Sequence, residues 1–239
     1  DWADYTNTFS GVTVNLAAGT ASGESGNDTL SGIDGVTGGE GNDTLTGDAN
    51  NNTLDGGWGD DWLAGGLGDD ILIGGGGGGG KGFDWGDDWA SYSEAASAVT
   101  VNLATGTASG GAGNDMLQDI ENVQGSKYND ILTGNDFANS LEGGGGNDTI
   151  GSLGGNDGTS GDAGSDIVFG GSGNDLLSGG TGNDQLNGGL GFDSSIQGGQ
   201  LSDYQVTIQG NAITLTQDNG EVDTLTDVEL IHFASGLNL

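Results

Sequence analysis

A nine-residue period governs this sequence. From Gly125 to Ile196 the chain divides into eight consecutive nonapeptides, in which three residue classes each keep their own phase. The sixth positions read Asp130, Asn139, Asp148, Asp157, Asp166, Asp175, Asp184 and Asp193. The eighth positions read Leu132, Leu141, Ile150, Thr159, Val168, Leu177, Leu186 and Ser195. A second block, 38–73, adds four more, with Asp43, Asn52, Asp61 and Asp70 sixth and Leu45, Leu54, Leu63 and Leu72 eighth. Isolated nonapeptides begin at Gly23 and Gly110. A slack glycine linker has no reason to hold three classes in phase. A solenoid does, because each repeat can bury its aliphatic residue only against the next repeat.

A longer period overlies the short one. DWADYTNTFSGVTVNLAAGTASG at 1–23 matches DWASYSEAASAVTVNLATGTASG at 88–110, a shift of 87 residues that holds without a gap to Asp61 and Asp148. The chain opens inside this motif and has no initiator methionine or signal peptide, so it reads as a piece of something longer. The expected organisation is a first unit at 1–73, a glycine-rich joint at 74–87, a second unit at 88–199 and a C-terminal cap at 200–239.

The composition narrows the partners. Glycine supplies 55 of 239 residues, and 36 acidic residues face two basic ones, Lys81 and Lys127, for a formal charge of −34. Phosphate backbones and anionic membrane surfaces are held by Lys and Arg, so neither nucleic acid nor membrane insertion fits. Cations do. Without them, self-repulsion opposes compaction. Cysteine is absent, which excludes disulfides and thiolate metal sites.

The pattern G-G-x-G-x-D-x-U-x, with U aliphatic, is met at every position by GGSGNDLLS, GGTGNDQLN, GGAGNDMLQ and GGLGDDILI. It resembles the calcium-binding nonapeptide of repeats-in-toxin (haemolysin-type) proteins, a motif already described as a Ca2+-binding β-helix repeat. The resemblance covers most of residues 1–199. It implies an all-β fold: a right-handed parallel β-roll, two nonapeptides per coil, with an ion between loops 18 residues apart. The implied pairs are Asp43 with Asp61, Asp130 with Asp148, Asp148 with Asp166, Asp166 with Asp184, Asp157 with Asp175 and Asp175 with Asp193.

The chemistry suits those residue types. Calcium takes six to eight oxygen ligands at about 2.3–2.6 Å, more than one carboxylate per loop can supply. Backbone carbonyls must make up the rest, and turning them inward needs the left-handed angles that glycine adopts at little steric cost. The expected ligands are the carboxylates of Asp43, Asp61, Asp70, Asp115, Asp130, Asp148, Asp157, Asp166, Asp175, Asp184 and Asp193. The expected carbonyls come from Gly57, Gly59, Gly66, Gly68, Gly144, Gly146, Gly171, Gly173, Gly180 and Gly182. Several Ca2+ ions, roughly a dozen, would offset about 24 charges. Binding free energy then becomes folding free energy.

Some positions depart from the pattern. Asn52 and Asn139 replace aspartate in loops that also lack the inner glycine, so those loops are expected to be structural and ion-free. Thr159 replaces an aliphatic residue, which predicts a poorly packed coil. GGGGGGGKGFDWGDD at 74–88 breaks the phase and reads as an irregular joint. Trp58, Trp62 and Trp85 fit packing against that joint or a neighbouring chain, with a sugar-stacking platform as the second reading. From Leu201 the glycine code stops, and alternating residues around Gly210-Asn211 and Asn219-Gly220 predict an antiparallel hairpin with a further strand. That tail resembles the flanks of type I-secreted proteins. His232, the only histidine, reads as a strand residue.

No paired nucleophile and base or phosphate-binding loop marks an enzyme. The expected role is a non-enzymatic calcium-binding module of a secreted or cell-surface bacterial protein, in a surface layer, filament or adhesin. Self-association or contact with other surface components would accompany that role, with export by a type I system. The alternatives are a secretion and folding module of an exported enzyme or toxin, and a glycan- or ice-binding module.

Overall fold

The computed structural model describes residues 1–76, 86–234 and 236. Most of the 74–87 joint, with Lys81 and Trp85, lies outside them. The described chain is almost wholly β, with one short 3-10 turn at Leu201–Asp203. It packs as two compact units, Asp1–Gln124 and Gly125–Leu239, whose boundary falls inside the second sequence copy.

Each unit is a pair of sheets built by stacking coils. In the second unit one sheet runs Ile131–Asn135, Thr149–Leu153, Ile167–Ser172, Gln185–Leu190, and the facing sheet runs Ser140–Glu142, Gly158–Ser160, Leu176–Ser178, Ser194–Gln197. All these pairings are parallel with a register of 18 residues, as in Leu132↔Ile150 and Leu141↔Thr159. The first unit repeats the scheme with Thr53–Gly57 against Ile71–Gly75 and Thr44–Thr46 against Trp62–Ala64.

The nine-residue phase explains the core. Successive side chains of a strand point to opposite faces, so a three-residue strand aims only its central residue inward. That residue is the eighth of the nonapeptide: Leu45, Leu54, Leu63, Leu72, Leu132, Leu141, Ile150, Val168, Leu177 and Leu186 are all buried. Thr159 and Ser195 occupy the same row. The Thr159 hydroxyl finds a partner across the core in Ser152, 2.8 Å away, so the polar substitution is matched by a second one.

Two expected nonapeptides take another form. Residues 23–31 and 110–118 enter through hairpins, since Thr20–Gly23 pairs antiparallel with Gly26–Thr29, and Thr107–Gly110 with Gly113–Gln118, whose Met116–Gln118 part still pairs parallel with Ile71–Ile73. Their Gly-rich starts serve as hairpin turns. The C-terminal segment does form the expected antiparallel strands, Tyr204–Gln209, Ala212–Gln217 and Val222–Thr226. It also rejoins the coils: Val222–Thr226 pairs parallel with Gln185–Leu190, and Leu230–Phe233 with Ser194–Gln197. His232 sits in that last strand.

Candidate metal sites

The six-residue turns between strands come in two forms. In the first form, found at 38–43, 47–52, 125–130 and 134–139, the sixth residue bonds back to its own loop. Asp43 Oδ2 accepts from the Gly39 amide at 2.6 Å and Asn52 Oδ1 from the Asp48 amide at 2.7 Å. Asp130 Oδ2 accepts from the Ser126 amide and Asn139 Oδ1 from the Asn135 amide at 2.8 Å. These loops are closed by their own side chain.

In the second form the second and fourth residues both stand in the left-handed region. The pairs are Gly57/Gly59, Gly66/Gly68, Gly144/Gly146, Leu153/Gly155, Asp162/Gly164, Gly171/Gly173, Gly180/Gly182 and Gly189/Gly191. No position-2 amide in these loops reaches the carboxylate. Asp61, Asp70, Asp148, Asp157, Asp166, Asp175, Asp184 and Asp193 each leave a buried Oδ2 with no hydrogen-bond partner. Left-handed backbone and a bare carboxylate oxygen occur together in all eight open loops, among the described residues.

The other oxygen builds a ladder. Oδ1 of each open-loop aspartate accepts the backbone amide of the sixth residue 18 positions earlier, at 2.7–2.9 Å. All six aspartate pairs expected from the sequence are joined by such a hydrogen bond. The ladder aligns the carboxylates and aims Oδ2 at the first-position glycine. A Cβ placed on Gly170 would lie 2.5 Å from Asp175 Oδ2 and 2.7 Å from the Gly188 carbonyl oxygen. Gly56, Gly143 and Gly161 repeat that arrangement with Gly74, Gly161 and Gly179. Glycine is needed here because any side chain would fill a cradle lined with oxygen.

A buried unpartnered carboxylate oxygen is costly, so it marks an unmet ligand. Burial pushes Asp61 and Asp148 up to about 7, and Asp70, Asp157 and Asp166 up to about 6, with neighbouring carboxylates adding to the effect. Asp175, Asp184 and Asp193 shift upward for the same first reason. A divalent cation removes this penalty by supplying the missing charge. Among the described residues no three acidic or histidine side chains converge, which accords with one carboxylate per loop and carbonyls as the remaining ligands. Hard oxygen donors in this number fit Ca2+.

A family profile for the RTX calcium-binding nonapeptide repeat matches residues 18–36, 37–72, 55–84, 124–158 and 160–194, together more than half of the chain. This chain belongs to that family. It is therefore a Ca2+-binding β-roll module. No curated protein matches it. Among solved structures, the extracellular lipase LipA from Serratia marcescens aligns at 21% identity with a TM-score of 0.34. The alignment covers 88% of this chain and 39% of the lipase.

The expected RTX ligands divide unequally between the two forms. Eight belong to open loops, whereas Asp43 and Asp130 lie in closed ones. Each Asp43 oxygen accepts one amide, since Oδ1 also accepts from Val12 at 2.7 Å. Asp130 Oδ1 accepts from the Ser126 hydroxyl at 2.9 Å. Asp115, though in a hairpin, takes the next rung above Asp70, whose amide it accepts at 2.9 Å. Gly189 and Gly191, not singled out from sequence, match the other left-handed glycines.

Four acidic rungs escaped the sequence reading. Asp88 accepts from the Asp61 amide at 2.7 Å, and Glu121 from Asp88 at 3.0 Å. Asp223 accepts from Asp184 at 3.1 Å, and Glu229 from Asp193 at 2.7 Å. Each had a local signal. WGDDW at 85–89 repeats 58–62, Asp-Thr-Leu-Thr at 223–226 repeats 43–46, and Asp-Ile-Glu at 119–121 resembles Asp-Val-Glu at 227–229. Trp89 stacks on Trp62, with ring centroids 5.3 Å apart.

Proposed function

We propose that this chain is a non-enzymatic module that folds on Ca2+ and stiffens a secreted or cell-surface assembly. The carrying observation is the row of eight buried, unpartnered aspartate oxygens. Those aspartates supply the carboxylate ligands, and the left-handed residues at the second and fourth loop positions supply carbonyls. Asp43 and Asp130 serve as the lower halves of the first sites on their ladders, because their Oδ2 atoms share the Gly38 and Gly125 cradles with the Gly56 and Gly143 carbonyl oxygens. What calcium supplies is charge neutralisation at stacked carboxylates; the chain supplies the register. Far-UV circular dichroism of the chain in EDTA and in millimolar calcium tests this. A β signal that appears only with calcium is expected, and an identical spectrum in both overturns the reading.

A second reading is a folding and secretion module at the end of an exported protein. It is favoured by the C-terminal strands, which extend both sheets of the second unit and place Asp223 and Glu229 on its ladders. Light scattering separates the two: calcium-dependent polymerisation supports the assembly role, and a monomer at high concentration supports the other.

A further inference from the structure

The ladder that carries Asp157, Asp175 and Asp193 ends where the nonapeptides end, yet its last carboxylate faces a carbonyl. Asp193 is fully buried, and its Oδ2 has no hydrogen-bond partner. A Cβ on Gly188 would lie 2.6 Å from that oxygen and run into the carbonyl oxygen of Asp227. In the regular coils the same place is taken by the first-position carbonyl of the following loop, as Gly188 does for Gly170. Asp227 therefore stands where the next calcium loop would begin.

Two features let it do so. Its φ of 50° is left-handed, which a non-glycine residue rarely adopts and Asp tolerates better than most. Its side chain accepts from the Asn211 amide group at 2.9 Å, leaving the main-chain carbonyl to face Asp193. Two residues later, Glu229 reaches back with its longer side chain and accepts the Asp193 amide at 2.7 Å. Leu230 then pairs with Ser194, so the coil resumes in register. Three residues, Asp227-Val228-Glu229, span what elsewhere takes six.

The first unit repeats the device. Asp119 has a φ of 49°, and a Cβ on Gly74 would meet its carbonyl while lying 2.5 Å from Asp88 Oδ2. Glu121, two residues on, accepts the Asp88 amide at 3.0 Å. The same backbone angle, spacing and acceptor recur at unrelated positions outside the nonapeptide matches.

We propose that Asp227-Val228-Glu229 is a shortened calcium loop that closes a terminal site, with Asp193 Oδ2, the Asp227 carbonyl and the Glu229 carboxylate as ligands. The site binds a hard divalent cation, completes the ladder and ties the C-terminal strands to the coils. It rests on the calcium reading of the regular loops.

The test is the number of calcium ions bound to the full chain, by equilibrium dialysis, for wild type and Glu229→Gln. Glutamine keeps an oxygen that accepts the Asp193 amide, so the fold persists while the charge is lost. The variant is expected to bind one ion fewer, with calcium-dependent amide protection lost only at 188–193 and 227–229 in hydrogen exchange. An unchanged ion count and protection map overturns the terminal site and leaves the regular sites standing. A wild-type chain that binds no calcium overturns both, and loss of every ion in the variant assigns Glu229 to folding instead.

Discussion

The loops at 38–43 and 56–61 are close in sequence, GGEGND and GGWGDD, yet they are built differently. In 56–61 the second and fourth glycines are left-handed, and a Cβ on either would run into the backbone of the coil below, at Gly39 and Gly41. In 38–43 no nonapeptide coil lies below. Gly39 and Gly41 instead pack against Tyr5, Thr8, Ser10 and Gly11, and Glu40 donates its amide to Thr8. Close packing requires the same glycines in both loops, and only in the loop stacked on another coil are they left-handed. The motif describes both, and only a loop resting on another coil opens.

The largest expected effect comes from an open loop. Gly173 has a φ of 134°, and a Cβ there would strike the Gly155 carbonyl. Gly173→Ala should destabilise the calcium-loaded chain by about 3 kcal/mol or more, combining left-handed strain with a steric clash. The closed loop already carries Tyr128 at the equivalent place, so Tyr128→Ala should move the chemical-denaturation midpoint far less. Equal losses would erase the distinction between the forms.

Asp166→Asn sharpens it through opposite signs. The amide oxygen can still accept from Asp148, while the buried carboxylate whose Oδ2 lacks a partner is gone. The metal-free fold should gain stability while the calcium concentration needed for full folding rises. Asp43→Asn, in a closed loop, should do less of both, because its two oxygens already have amide donors. Calcium titration followed by circular dichroism reads the two changes together.

Acidity should act on the open loops next. In the metal-free fold Asp61 and Asp148 titrate at about 7, and Asp70, Asp157 and Asp166 at about 6, all above the ordinary carboxylate value near 3.9. A raised folded-state pKa means the fold binds protons more tightly than the unfolded chain. Its contribution is complete below about pH 4 and is lost as pH rises through 6 to 7. In EDTA the β signal absent near pH 8 should therefore begin to emerge as pH falls to 5, while the calcium requirement rises because protons compete. A circular dichroism spectrum in EDTA that is the same at pH 8 and pH 5 would refute this account.

The smallest effect belongs to Asn139→Asp. The loop would keep its acceptor for the Asn135 amide, and Asn135 and Phe137 hold its second and fourth positions. It should stay closed and change stability by no more than about 1 kcal/mol. A new high-affinity calcium site there, seen by dialysis, would show that the aspartate alone opens a loop.

Much of this was legible beforehand, because a strict period converts position in sequence into position in space. The eighth residue is the core and the sixth is the ladder, and Leu177 and Asp175 could be placed from phase alone. The four rungs that escaped lie 27, 33, 36 and 39 residues from their partners instead of 18. Out of phase, Asp88, Glu121, Glu229 and Asp223 look like ordinary acidic residues. Asp115 was picked for its motif, but the hairpin that carries it was not anticipated, since GGAGND is equally a turn.

Sequence by itself determined the repeat, the buried aliphatic row, the oxygen-only donor set and the demand for cations, all of which follow from local spacing and residue chemistry. Tertiary structure decided which loops open and how each ladder ends. Those outcomes depend on what backbone lies above and below a loop, and a nonapeptide carries no record of its neighbours.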